Sequence, residues 1–151
     1  MRVNARFCYS LLATVELARA FPGGKVMRAK DLAARTGVPE GFLVQILQPL
    51  RKAGVVESAR GAGGGYRLTA PPADIPVGRV LRAAGGRAEY VETSGLPGQI
   101  LDRGENPEAA RTLSFVLSEA ERSLARAFEG MTLAAVLERG PGRRPAADYQ
   151  I

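Results

Sequence analysis

Residues 58–69, Ser58-Ala-Arg-Gly-Ala-Gly-Gly-Gly-Tyr-Arg-Leu-Thr69, decide how the chain is read. Val55 and Val56 before this stretch, and Tyr66 and Leu68 within it, predict two short strands closed by a glycine-rich tip. Glycines let the tip backbone approach phosphates and enter a narrow groove, and Arg60 sets a cation beside them.

Upstream, Thr36-Gly37-Val38-Pro39 joins two helical patterns. The first covers Ala29–Thr36, with Leu32 and Ala33 inward and Gly37 as its stop. Pro39 suits the first turn of the second, which runs to about Ala53 with Phe42, Leu43, Ile46, Leu47 and Leu50 as its apolar positions. Pro49 inside it removes a backbone hydrogen bond and predicts a kink. Earlier still, Phe7, Cys8, Leu11, Leu12, Val15 and Ala18 predict an amphipathic helix over residues 5–20. Phe21-Pro22-Gly23-Gly24 ends it, and Lys25-Val26-Met27 is a short extended link. A helix-turn-helix followed by a hairpin with arginine at its tip is the layout of a winged helix-turn-helix. The expected fold is mainly α with a small β wing, and the expected ligand is double-stranded DNA.

Charge points the same way. Residues 1–70 hold 11 Lys/Arg against 4 Asp/Glu, a net of +7, and residues 71–151 hold 10 against 11, a net of −1. A basic front half joined to a neutral back half suits a nucleic-acid face coupled to an assembly or sensing part. One cysteine and no histidine exclude a disulfide framework and a zinc site built on Cys and His within the chain. The apolar run Phe7–Val15 is followed by Glu16 and Arg19 with no small-residue cleavage site, so it is not read as a signal peptide. No run reaches the roughly 20 apolar residues of a membrane span. The expected location is the cytoplasm.

Beyond the wing, Pro71-Pro72-Ala73-Asp74 reads as a linker and Val77–Ala84 as a short helix ended by Gly85-Gly86. Residues 1–86 are therefore expected to form the DNA-binding domain. Residues 87–105 have no clear period, and a loop of that length is usually functional or mobile. Asn106-Pro107-Glu108 starts a helix with a cap, a proline at the first position and an acid near the positive end. It runs to about Glu129, with Leu113, Val116, Leu117, Ala120, Leu124, Ala127 and Phe128 along one stripe. A second chain covers such a stripe more economically than a small domain does, although folding back onto its own domain is the alternative. Thr132 caps a last helix, Leu133–Glu138, so that 106–139 form the dimerisation part and 140–151 a flexible tail.

Together these residues resemble the Rrf2 (BadM-type) family of bacterial winged-helix transcriptional regulators. The most specific piece is Leu50-Arg-Lys-Ala-Gly-Val-Val-Glu-Ser-Ala-Arg-Gly-Ala-Gly-Gly-Gly-Tyr-Arg-Leu68, supported by Phe42-Leu43 with Gln45, by Ile75–Ala84, and by Met131-Thr132-Leu133-Ala134. The resemblance covers residues 1–138. It implies that Pro39, Glu40, Gly41, Phe42 and Gln45 face the major groove, with Arg60, Gly61, Gly63 and Gly64 at the minor groove. Arg28, Lys52 and Tyr66 complete the expected DNA-binding set. Gln45 suits adenine, whereas Glu40 and Phe42 serve equally well as cap and packing residues. Val44 stands where many members carry glutamate. Many members also hold an iron–sulfur cluster on loop cysteines, and here residues 87–105 contain none. Cluster ligation needs such ligands, so a cluster-free regulator without metal or cofactor is expected.

Among cluster-free members the resemblance is to a repressor of cysteine metabolism that Gln48-Pro49-Leu50 also matches, and that acts through complex formation with cysteine synthase. Asp148-Tyr149-Gln150-Ile151 is similar to the isoleucine-ended peptide with which serine acetyltransferase enters that enzyme's active site. A disordered tail that happens to end in isoleucine is the alternative. Other readings are a protein-interaction module, a redox-thiol regulator using Cys8, or a degenerate iron–sulfur-type regulator with another effector. Cys8 shares a stripe with Leu11, Leu12 and Val15, which favours a buried, inert thiol. An enzyme is not expected. There is no histidine, Tyr66 breaks a dinucleotide fingerprint, and no Gly-Lys-Ser/Thr makes a P-loop.

Overall fold

Leu43, Ile46, Leu47 and Leu50 recur at helical spacing, and each is at most 1% exposed, so the helix that carries them is the centre of the molecule. The computed structural model describes residues 5–85 and 107–140. The predicted loop 87–105, the Asn106 cap and the tail from residue 141, including Asp148–Ile151, lie outside the described residues. The element order is α1 (Ala5–Ala20), α2 (Ala29–Thr36), α3 (Glu40–Lys52), β1 (Val56–Ala59), β2 (Gly65–Leu68), α4 (Val77–Gly85), α5 (Pro107–Glu129) and α6 (Leu133–Arg139). Short 3₁₀ turns occupy Phe21–Gly23 and Pro72–Asp74, the second within the predicted linker.

Helices α1, α2, α3 and α4 enclose one core with Val55, Val56 and Leu68 from the hairpin and Leu133 from α6. Gly37 ends α2 in the left-handed region at φ 71°, donating its N–H to the Ala33 carbonyl at 2.9 Å. The Thr36 hydroxyl donates to the Leu32 carbonyl at 2.7 Å and accepts from the Val38 N–H at 3.3 Å. These bonds set the turn between α2 and α3. Pro39 flanks α3 rather than entering it, and its carbonyl accepts from the N–H groups of Phe42 and Leu43. Helix α3 runs on through Pro49. The missing proline N–H does not end it, because burial of the leucines on either side holds the segment.

The predicted inward stripe of α1 is corrected. The buried positions are Phe7, Ser10, Ala13, Thr14, Leu17 and Ala18, whereas Cys8, Leu11 and Val15 are half-buried and Leu12 is 46% exposed. Small residues let the neighbouring helices approach closely, and the Thr14 hydroxyl is satisfied by donating to the Ser10 and Leu11 carbonyls, both at 3.0 Å. Cys8, expected from its stripe to be buried, is half-buried, because the helix turns its neighbours Phe7 and Ser10 into the core instead.

After α5 the chain returns to the core. The N–H of Val77 donates to the Met131 carbonyl at 2.7 Å, and the N–H of Leu133 donates to the Ile75 carbonyl at 2.9 Å. Thr132 caps α6 as the sequence predicts, its hydroxyl accepting from the Ala135 N–H at 3.2 Å. Among the described residues, no helix is long and apolar enough to cross a membrane.

Candidate nucleic-acid interface

Burying Leu43, Ile46, Leu47 and Leu50 on one side of α3 turns Gly41, Gln45, Gln48 and Lys52 outward as a ridge spaced four, three and four residues apart. Val44 and Arg51 flank it on one side and Phe42 on the other, at 47% exposure for Val44 and 52% for Phe42. Phe42, read from the sequence both as an apolar packing position and as a site residue, is outside the core. Its ring meets Tyr9 of α1 edge to face at 5.9 Å. The ridge therefore offers two carboxamides and a lysine, with apolar side chains at its edges.

The wing is an antiparallel pair in the register Val56 with Leu68, Glu57 with Arg67, Ser58 with Tyr66 and Ala59 with Gly65. Glu57 and Arg67 form a cross-strand ion pair at 2.5 Å on its outer face. The tip turns at Gly61, φ 103°, and the Gly64 N–H donates to the Gly61 carbonyl at 2.9 Å. At its root, the Thr69 hydroxyl donates to the Gly54 carbonyl at 2.6 Å, and Arg51 reaches Ser58 at 3.3 Å. Arg79 donates to the Ala53 and Gly54 carbonyls, placing its charge at the negative end of α3.

A third segment holds the hairpin from the side. Met27, in the predicted extended link, exchanges two backbone hydrogen bonds with Tyr66, at 2.9 and 2.8 Å. The next residue, Arg28, donates from Nη2 to the Ala62 carbonyl at 2.6 Å. Arg28 thus ties the wing tip through one of its donors while staying exposed. The Tyr66 ring is half-buried against the core. Arg60 and Lys52 are exposed and make no ion pair among the described residues. Pro39, Glu40, Gly41 and Gln45 are likewise exposed on the α3 side, and Gly61 and Gly63 at the tip, with Gly64 half-buried. Gln48 is the residue that the sequence reading left out of the site. Placing α3 on a helical wheel opposite its four core positions would have found it.

On α5 the expected stripe divides. Leu117, Leu124 and Phe128 are half-buried, and Phe128 meets Phe7 of the same chain edge to face at 5.8 Å. Glu129 pairs with Arg82 of α4 and packs so closely on Gly78 that a Cβ there would overlap it. Phe128 is thus turned onto its own core because this end of α5 docks on α1 and α4. Leu113, Val116, Ala120 and Ala127 remain exposed, spaced three, four and seven residues apart. Phe115, 63% exposed, projects from the other side of the helix and was not singled out by the sequence pattern.

A family model described as "Rrf2: Iron-dependent Transcriptional regulator" matches residues 3–139. A Mycobacterium tuberculosis protein described as "Putative HTH-type transcriptional regulator Rv1287" is 38% identical over 138 residues, covering 90% of this chain and 81% of its own. The structure is similar to T. potens IscR, with a TM-score of 0.71 and 30% identity over 91% of this chain and 87% of that one. It is equally similar to CymR, "the Global Cysteine Regulator of B. subtilis", with a TM-score of 0.71 and 28% identity over 91% of this chain and 97% of that one.

Proposed function

Because the chain belongs to the Rrf2 family of transcriptional regulators, whose members are regulators and not enzymes, we propose that it reads a two-fold operator in duplex DNA as a homodimer. The observation that carries this reading is the outward ridge of α3 beside a glycine-tipped wing that carries Arg60 and is tied by Met27 and Arg28. In the proposal Gly41, Gln45 and Gln48 meet base edges in the major groove, with Pro39, Glu40 and Phe42 at the helix entrance. Lys52 meets a phosphate, and Arg60 with Gly61, Gly63 and Gly64 enters the adjacent minor groove. Arg28 and Tyr66 act through the wing's position.

Variants of these residues test the proposal. Arg60→Ala should weaken operator binding by about 1–3 kcal/mol, Gln45→Ala should relax preference at one base pair per half-site, and Lys52→Ala should weaken all sequences alike. Undiminished operator binding by Arg60→Ala at moderate salt would remove the wing from the interface.

The exposed seam Leu113, Val116, Ala120 and Ala127, with the half-buried Leu117 and Leu124 beside it, supports pairing of α5 with a second copy, since an apolar repeat of this spacing suits two packed helices. The family description names iron, and the donor set of this chain does not fit a thiolate-held cluster. Its single cysteine is Cys8, in α1, and it has no histidine. Among the described residues, no three His, Cys, Asp or Glu side chains are grouped to hold a metal ion.

Likeness to CymR, the global cysteine regulator of B. subtilis, supports control of cysteine metabolism; that the chain does this as a cytoplasmic repressor engaging cysteine synthase is the further part of the proposal. The candidate contact is Asp148-Tyr149-Gln150-Ile151. Deleting Tyr149–Ile151 should leave DNA affinity unchanged and abolish binding to cysteine synthase of the same organism in calorimetry. Equal binding by the full-length and truncated proteins would exclude that contact.

A further inference from the structure

Val44 is an aliphatic side chain on the outer half of α3, 47% exposed, whereas the four core positions of the same helix are at most 1% exposed. It lies beside Gln45 and one turn before Gln48, so an apolar group and two carboxamides share one surface. Phe42, the other exposed apolar residue of the helix, leans on Tyr9 and is held by its own chain. A β-branched side chain in a helix keeps essentially one rotamer, so its two methyl groups form a fixed apolar contact.

An A·T pair displays, side by side in the major groove, the adenine N6 and N7 that a glutamine bonds and the C5-methyl that an aliphatic side chain touches. The surface of α3 has the complementary arrangement. We propose that Val44 reads a thymine C5-methyl group in each half-site while Gln45 or Gln48 bonds an adjacent adenine. The proposal rests on the DNA-reading function above, and it names the chemistry that the reading selects. Lys52, on the same face, draws the phosphates to this side of the helix rather than an apolar protein partner.

Uracil differs from thymine only by the methyl group, which makes the test direct. The full-length protein first selects its preferred duplex from a random-sequence pool. Each thymine of that duplex is then replaced by uracil, and affinities are measured for the wild type, Val44→Ser and Gln45→Ala. At one thymine per half-site, uracil should weaken the wild type about 4-fold, the value of one methyl removed from water. Val44→Ser should bind the thymine duplex more weakly and be indifferent to uracil at that position. A flat uracil scan for the wild type, or the same uracil penalty in Val44→Ser, overturns the inference. If the scan is flat while Gln45→Ala and Arg60→Ala still weaken binding, only the methyl reading fails. If selection returns no preferred sequence, the DNA-reading proposal fails with it, and Val44 is left for a protein partner.

Discussion

Replacing Leu113 and Val116 together by glutamate should leave each chain folded, turn the protein monomeric and reduce operator affinity by at least about 100-fold. Both side chains are exposed in the single chain, at 41% and 56%, so charge there costs the fold little. In a paired α5 the same positions face their copies across the seam, where two carboxylates from each chain would be buried against one another. Operator affinity suffers because two-fold readers place their recognition helices roughly 10 base pairs apart, and each chain raises the local concentration of the other at its half-site. Arg111→Glu, on the far side of the helix, should leave the dimer intact. Sedimentation measures the state and anisotropy the affinity. A Leu113→Glu, Val116→Glu protein that remains dimeric excludes this seam as the interface.

The second large effect concerns a single methyl group in the wing. A Cβ at Gly65 would overlap the Met27 carbonyl and lie 2.9 Å from the Arg28 nitrogen, all backbone atoms that cannot swing aside. Gly65→Ala must therefore push the Met27 segment away, breaking the two bonds to Tyr66 and dragging Arg28 off the Ala62 carbonyl. The expected cost is about 3 kcal/mol, the upper range for an overpacked site. Operator binding should fall with it, because the wing tip loses its lateral tie. Gly63→Ala is the matched control, since nothing lies within 4 Å of a Cβ there. Thermal unfolding should separate the two by many degrees. Equal melting of both variants would show that Met27 does not brace the wing.

That brace also marks where the sequence stops being legible. The spans of α1, α2, α5 and the hairpin follow from local signals: apolar spacing, Gly37 and Gly54 as stops, and the glycine tip. The pairing of Met27 with Tyr66 joins residues 39 apart along the chain, and no periodicity announces it. Arg28 was for the same reason legible only as a basic residue near DNA, not as the tie of the wing tip. Helix α1 is apolar on most of its circumference, so spacing alone could not choose between the face of Leu12 and the face of Ala13. Burial chose the face whose small residues let α3 and α4 come close. In α3 the four core leucine and isoleucine positions were legible. On their opposite side Gly41, Gln45 and Lys52 were legible as interface candidates, and Gln48 joined them only when the whole circumference was considered. That Phe128 leaves the α5 stripe for its own core was not legible, because it depends on docking on Phe7, a tertiary contact.

The central claim, that α3 and the wing form a DNA-reading face, is tested most directly by a salt titration of the full-length protein. Anisotropy would be recorded on its selected duplex and on a scrambled duplex of equal length, between about 50 and 200 mM salt. If the dimer contacts six to ten phosphates, affinity for both should fall by about 10³–10⁵ over that range. The selected duplex should stay ahead of the scrambled one throughout, because base contacts survive when phosphate contacts are screened. Binding that hardly changes with salt, or is equal on the two duplexes, would contradict the account.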